Sequence, residues 1–167
     1  MKVKAFLTFA ALSIILIGCS RDEPGITQIV VEPTIIKINE VYSRGVTTDP
    51  DWIEIYNAGN AAVDIGGYKI YDSGGQGGTK PKMTIPAGTM LAAKGRFVIV
   101  TDLASSVDPA GFGLSSGGEE VWLEDKNGVV IDNIAFPAMD VTQSYSRIPD
   151  GGTWALTSNI TKNSANR

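Results

Sequence analysis

Asp51-Trp52-Ile53-Glu54-Ile55-Tyr56-Asn57 is the stretch whose reading decides the fold. Ile53 and Ile55 alternate with Trp52, Glu54 and Tyr56, a period of two that suits a strand with one face in a core. The same alternation precedes it, where Ile36 and Ile38 interleave with Lys37 and Asn39. Turn chemistry at Asn57-Ala58-Gly59-Asn60 and Gly66-Gly67 leads to a further strand at Tyr68-Lys69-Ile70-Tyr71. Phe97-Val98-Ile99-Val100 is continuously apolar and is expected to be the most buried strand. Val121-Trp122-Leu123 and Val129-Val130-Ile131 flank Asp125-Lys126-Asn127-Gly128, the strongest hairpin signal in the chain. A three-residue loop, Lys126 to Gly128, puts glycine at the left-handed position and sets Leu123 opposite Ile131. No window beyond the N-terminus carries a helical period, and no repeat recurs at a fixed spacing. About eight short strands with frequent turn signals predict an all-β sandwich or barrel.

Composition agrees. The 167 residues suffice for one domain; 43% are hydrophobic and 19% charged, with 19 glycines and 8 prolines. There is no histidine, which removes Ser-His-Asp and Cys-His nucleophile pairs and every zinc site that needs imidazole. A single cysteine forms neither an internal disulfide nor a thiolate cluster.

That cysteine stands at an informative place. Lys2 and Lys4 precede an apolar run from Ala5 to Ile17, 13 residues long, against the about 20 needed to span a bilayer. The layout is that of a secretion signal. Leu16-Ile17-Gly18-Cys19 resembles the lipobox of bacterial lipoproteins, in which a cysteine is acylated and becomes the new N-terminus. The expected organisation is a signal peptide over 1–18, a lipidated N-terminus and tether over 19–33, and a folded domain over 34–167. Ile29-Val30-Val31 in the tether is also compatible with an added edge strand. Several acyl chains, each methylene contributing about 0.8 kcal/mol, would anchor the protein permanently. Ser20 is not the aspartate of inner-membrane retention, and Asp22-Glu23 resembles a surface-export tag, so the outer membrane or cell surface is the expected location. Removing residues 1–18 takes Lys2 and Lys4 away, leaving 12 of the 14 basic residues against 18 acidic ones, net −6. Such a charge disfavours nucleic acid as a partner. The one basic concentration, Lys80, Lys82, Lys94 and Arg96, has no interleaved aromatics.

From about Ile36 to Asn166 a series of pieces runs in order: Ile38-Asn39-Glu40-Val41, Asp51 to Asn57, Val63-Asp64-Ile65-Gly66-Gly67-Tyr68, Ile85-Pro86-Ala87-Gly88, the strand at Phe97, Gly113 to Val121, Leu123-Glu124-Asp125, Ile131-Asp132, Ser144-Tyr145-Ser146-Arg147 and Asp150-Gly151-Gly152-Thr153-Trp154. Taken in that order, the series resembles the lamin tail domain. Thr161 to Asn166 departs from the family's usual ending. The resemblance implies an immunoglobulin-like β-sandwich, a binding or structural role, and no catalytic residue. The coiled-coil rod of nuclear lamins is absent, so filament formation does not carry over.

Several motifs invite chemistry. Gly113-Leu114-Ser115-Ser116-Gly117 spells a nucleophile-elbow string, but that motif needs a following helix and a histidine base. Gly74-Gly75-Gln76-Gly77-Gly78-Thr79-Lys80 suggests a phosphate loop, yet Thr79 separates glycine from lysine, and Pro81 opposes a following helix. It reads instead as a mobile connection between strands. Glu40, Asp49, Asp51 and Glu54 form the best acidic cluster, compatible with calcium or with a carboxylate pair, but at a spacing that matches no metal signature. Trp52, Trp122 and Trp154 with Tyr56 and Tyr68 could form a platform for sugar or peptide, or be covered by loops. The expectation is therefore a module without enzyme activity, metal or cofactor. It would be held to the membrane by lipid on Cys19 and bind an envelope protein or glycan. The alternative is a surface, glycan-directed hydrolase using carboxylates.

Overall fold

The computed structural model describes residues 35–43, 48–80, 82–102 and 111–167, all within the compact unit Pro33–Arg167. Cys19 and the rest of the expected signal and tether lie outside the described residues.

Two antiparallel sheets face each other. The first carries β1 (Ile36–Tyr42), β2 (Trp52–Asn57), β7 (Arg96–Val100), β10 (Ser144–Ile148) and β11 (Thr153–Thr157), in the order β11-β10-β1-β2-β7. The second carries β4 (Lys69–Asp72), β5 (Met83–Thr84), β8 (Gly118–Glu124) and β9 (Val130–Pro137), in the order β5-β4-β8-β9. A two-stranded ribbon, β3 (Val63–Asp64) with β6 (Met90–Leu91), completes the sheets. Of the sandwich and the barrel that the alternation allows, this is the sandwich, in the immunoglobulin-like form that the family resemblance implies. Its core joins Val41, Ile53, Ile55 and Ile99 of the first sheet to Ile70, Met83, Val121 and Leu123 of the second. The two-residue strands β3, β5 and β6 are too short to leave a period in the sequence.

Three expectations need correction. Phe97–Val100 is not the most buried strand: β7 is a sheet edge, and of its residues only Ile99 is buried. β2 is buried along its whole length because it has a partner on each side and cover on both faces. The hairpin loop is the expected one. Asp125 N–H meets Val129 O at 2.8 Å, Gly128 N–H meets Asp125 O at 3.1 Å, and Gly128 has φ +84°. Leu123, however, pairs with Asp132 rather than Ile131, because Ile131 is the extra residue of a bulge between Glu124↔Val130 and Leu123↔Asp132. The bulge aims the Asp132 carboxylate at Ile38 N–H (2.9 Å) and Arg147 (3.2 Å). Finally, the glycine-rich connection contains a short helix, α1 (Ser73–Gly77). The Asp72 side chain caps it by accepting Gly75 N–H at 3.0 Å. Glycine is required at 75 because a Cβ there would lie 2.7 Å from the Tyr71 Cβ.

Ser43 and Thr101 are buried, and among the described residues their hydroxyls have no hydrogen-bond partner. A buried unsatisfied hydroxyl costs roughly 1–3 kcal/mol. The isosteric Thr101→Val change is therefore expected to raise stability by about 1 kcal/mol in urea unfolding. A variant less stable than wild type would show that the hydroxyl is satisfied in solution.

Candidate functional site

The outer face of the first sheet carries the most concentrated polar chemistry among the described residues. Period two in β2 sends Ile53 and Ile55 to the core and Trp52, Glu54 and Tyr56 to the other side. In β1 the same rule would place Glu40 on the core face with Ile38. A bulge prevents this: Ile38 pairs with Ile55 and Glu40 with Glu54, leaving Asn39 as the extra residue. One added residue reverses the faces beyond it. Glu40 thus stands directly opposite Glu54 on the outer face, and both are fully buried.

The cover is the C-terminal segment after β11. Thr161 donates its N–H to Glu40 Oε1 at 3.0 Å and its hydroxyl to Glu40 Oε2 at 2.6 Å. Asn163, with φ +63°, donates its N–H to Glu54 Oε2 at 2.7 Å. Asn166 donates its N–H to Asp150 Oδ1 at 3.2 Å, and its carboxamide donates to Asn39 O (3.2 Å) and Arg147 O (3.0 Å). From below, Ser144 Oγ donates to Glu40 Oε1 at 2.6 Å. Asn39 Nδ2 bridges Glu54 Oε1 and Asp150 Oδ1, at 2.9 Å each. Arg96 forks onto Asp150 through Nε (3.1 Å) and Nη2, and its Nε is 3.8 Å from Glu54.

Burial pushes the Glu54 carboxyl up to about 7, and the neighbouring Glu40 adds to the rise. Hydrogen bonds from Asn39 and Asn163 and the charge of Arg96 pull the other way and do not offset it. Burial also acts on Asp150, but there the bonds from Arg96, Asn39 and Asn166 win and hold the carboxyl below its usual range. The Glu54 shift has a thermodynamic sign. Between its ordinary 4.5 and about 7 the folded state binds more protons than the unfolded one, so stability falls as pH rises through that window. The expected loss is about 3 kcal/mol, measurable as a lower urea midpoint at pH 7.5 than at pH 5. Glu54→Gln should remove most of that difference.

The four acidic residues of the sequence reading do not converge. Asp51 lies on the core side and accepts Leu114 N–H at 2.8 Å. Asp49 is exposed and meets Lys162 at 3.2 Å. Among the described residues no group of three or more acidic, histidine or cysteine side chains is arranged to hold a metal. Ser115 sits in an exposed turn leading into β8; its Oγ accepts Gly117 N–H at 3.2 Å and its N–H meets Glu119 at 2.5 Å. Lys80 is held by Asp72 at 3.0 Å. Lys82 pairs with Glu124 at 2.5 Å, which drives that carboxyl down, and Lys94 bonds Ala58 O. The four basic residues thus serve separate local partners. The tryptophans form three separate stacks rather than one platform: Trp52 on Tyr42 (5.8 Å), Trp122 on Tyr71 (6.2 Å) and Trp154 on Tyr145 (5.0 Å). Tyr56 lies under the Arg96 guanidinium, and Tyr68 packs against the core.

Asn39, Arg96, Asp150, Thr161, Asn163 and Asn166 were not legible as a site, since their contacts span up to 127 residues of chain. No curated protein matches the chain. The family model described as Lamin Tail Domain matches residues 32–138, from before β1 to just past β9. Glu40 and Glu54 fall inside that match; β10, β11 and the covering segment follow it. With the match covering well over half of the sequence and the sandwich built as the family's fold requires, this chain belongs to the lamin tail domain family.

Proposed function

We propose that the protein is a non-catalytic binding or structural module, displayed from the bacterial cell envelope by lipid on Cys19. The observation that carries the non-catalytic reading is the fate of Glu40 and Glu54. They are the two carboxylates that the sheet brings together, and both are sealed beneath residues 161–166 with their oxygens engaged by protein donors. A hydrolytic pair needs a cleft about 5–9 Å wide between its carboxyls, open to substrate. Absence of histidine and membership of the lamin tail domain family support the same reading.

The envelope address rests on Leu16-Ile17-Gly18-Cys19 and on the basic, apolar layout before it. Cys19→Ala is expected to move the protein from the membrane fraction to the soluble one. Retention of the alanine variant after salt and carbonate washes would remove the lipid from the proposal. The partner is an envelope protein or glycan, and the net charge of −6 after processing opposes duplex DNA. Binding of the soluble domain to peptidoglycan fragments, envelope proteins and duplex DNA at physiological salt distinguishes these. A parallel panel of glycosidic, ester and phosphodiester substrates should show no turnover. Turnover abolished by Glu54→Gln would establish an enzyme instead.

A further inference from the structure

Three carboxylates, Glu40, Glu54 and Asp150, gather beneath the C-terminal segment, and one guanidinium serves them. Arg96 is shared between Asp150, onto which it forks, and Glu54, which it meets only at 3.8 Å, so among the described residues the opposed pair Glu40–Glu54 has no cation to itself. Full ionisation would leave two like charges facing each other in one sheet register, away from water. What holds the segment down is polar. It comprises the peptide N–H groups of Thr161, Asn163 and Asn166, the Thr161 hydroxyl and the Asn166 carboxamide. The segment belongs to no strand, and Ile160 just before it is exposed. It can therefore lift without breaking a β-ladder or opening the core between the sheets.

We propose that residues 161–166 form a proton-linked latch, closed over the Glu40–Glu54 pair when Glu54 is protonated and released, with the sandwich still folded, when Glu54 ionises. The groups that face Glu54 do not all oppose its ionisation: the Asn163 N–H of the segment itself favours the charged form, and burial outweighs it. Glu40 faces it from β1 and opposes ionisation. Arg96 on β7 favours it only weakly, its guanidinium lying 5.3 Å over the Tyr56 ring and bound to Asp150 in the turn after β10. From the latch itself Lys162 turns away, to Asp49 at 3.2 Å and over the Trp52 ring at 5.4 Å. Lys37 is held by Gly151 O at 3.3 Å. A carboxyl raised from 4.5 to about 7 in the closed form and relaxed in the open form tightens the latch in acid and loosens it towards neutrality, with saturation above about 7. Release takes Lys162 off Trp52 and uncovers two carboxylates that Ser144 and Asn39 still hold side by side on adjacent paired strands, with no cleft between them for a substrate.

Amide hydrogen exchange on the intact chain between pH 5 and pH 7.5, normalised to the intrinsic rate at each pH, tests this. Protection at Thr161, Asn163 and Asn166 is expected to fall more than tenfold across that range and, at pH 7.5, to lie far below that of Ile53 and Ile55 in β2, which exchange only when the whole domain opens. Glu54→Gln should hold the latch amides at their acid-state protection throughout. A flat profile in the wild type, an unchanged slope in Glu54→Gln, or latch amides as well protected as those of β2 at pH 7.5 would each overturn the latch. Should Glu54→Gln fail to fold, carboxyl NMR of the wild type decides. A Glu54 midpoint near neutrality, followed by the Asn163 amide, supports the proposal, and a midpoint below pH 5 overturns it.

Discussion

Ile53→Asp is expected to abolish folding. Ile53 is fully buried at the middle of β2, between Val41 on one neighbouring strand and Ile99 on the other. The substitution removes the packing of a whole side chain, about 2–5 kcal/mol. It also buries a carboxylate with no cation beside it, which costs several kcal/mol more or forces local unfolding. A domain of this size has roughly 5–15 kcal/mol of stability in total, so the two effects together match the whole of it. Far- and near-ultraviolet circular dichroism should show loss of strand signal and of fixed aromatic packing. The conservative Ile53→Val change should cost about 1 kcal/mol and leave the fold intact. A soluble Ile53→Asp variant with a cooperative transition near that of wild type would mean that β2 is not the centre of the core.

The choice of Ile53 shows what the sequence makes legible and what it hides. Alternation along 52–56 identifies β2 because one face of that strand meets the apolar core and the other a polar cover, and such a strand writes period two. The same logic misjudges β7. Phe97-Val98-Ile99-Val100 has no polar position, yet it is an edge whose Val98 and Val100 sit on the outer face, half-covered. An apolar run records hydrophobicity, not the number of neighbours. The two bulges are hidden for a related reason. Ile36, Lys37 and Ile38 alternate, and the apolar phase then shifts across the polar pair Asn39-Glu40 to Val41, because the added residue at Asn39 sends Glu40 to the opposite face. Such a shift reads equally well as the end of a strand, and only pairing with β2 makes it a bulge.

The candidate site is less legible still. Glu40 and Glu54 can be picked out as acidic residues near each other in sequence, but not as a buried pair. The pairing depends on the bulge, and the burial depends on Thr161, Asn163 and Asn166, more than 100 residues away. Those three sit in a tail without hydrophobic period, where it departs from the usual lamin-tail ending. A polar tail reads as solvated unless its carboxylate partners are known.

Asp150→Ala should be the most damaging change at the site, because Asp150 holds three parts of it together. Its carboxylate accepts from Arg96 on β7, Asn39 on β1 and the peptide N–H of Asn166 in the covering segment. Removing it strands a largely buried guanidinium and leaves the Asn39 and Asn166 donors short of an acceptor. Breaking a buried ion pair from one side costs roughly 3–5 kcal/mol, which corresponds to a fall in Tm of roughly 10 °C or more for a domain of this size. Arg96 has one alternative, the Glu54 carboxylate at 3.8 Å. If it takes that position, Glu54 is held ionised and the pH dependence of stability between 5 and 7 should shrink in the same variant. Replacing both partners by apolar groups, Arg96→Met with Asp150→Leu, should cost less than the sum of the single changes, since neither then leaves a charge unpaired. Thermal unfolding of the four members of that cycle at pH 5 and pH 7.5 measures both effects. Strict additivity, or an Asp150→Ala loss below about 1 kcal/mol, would mean that Arg96 and Asp150 are solvated in solution and do not support the cover over Glu40 and Glu54.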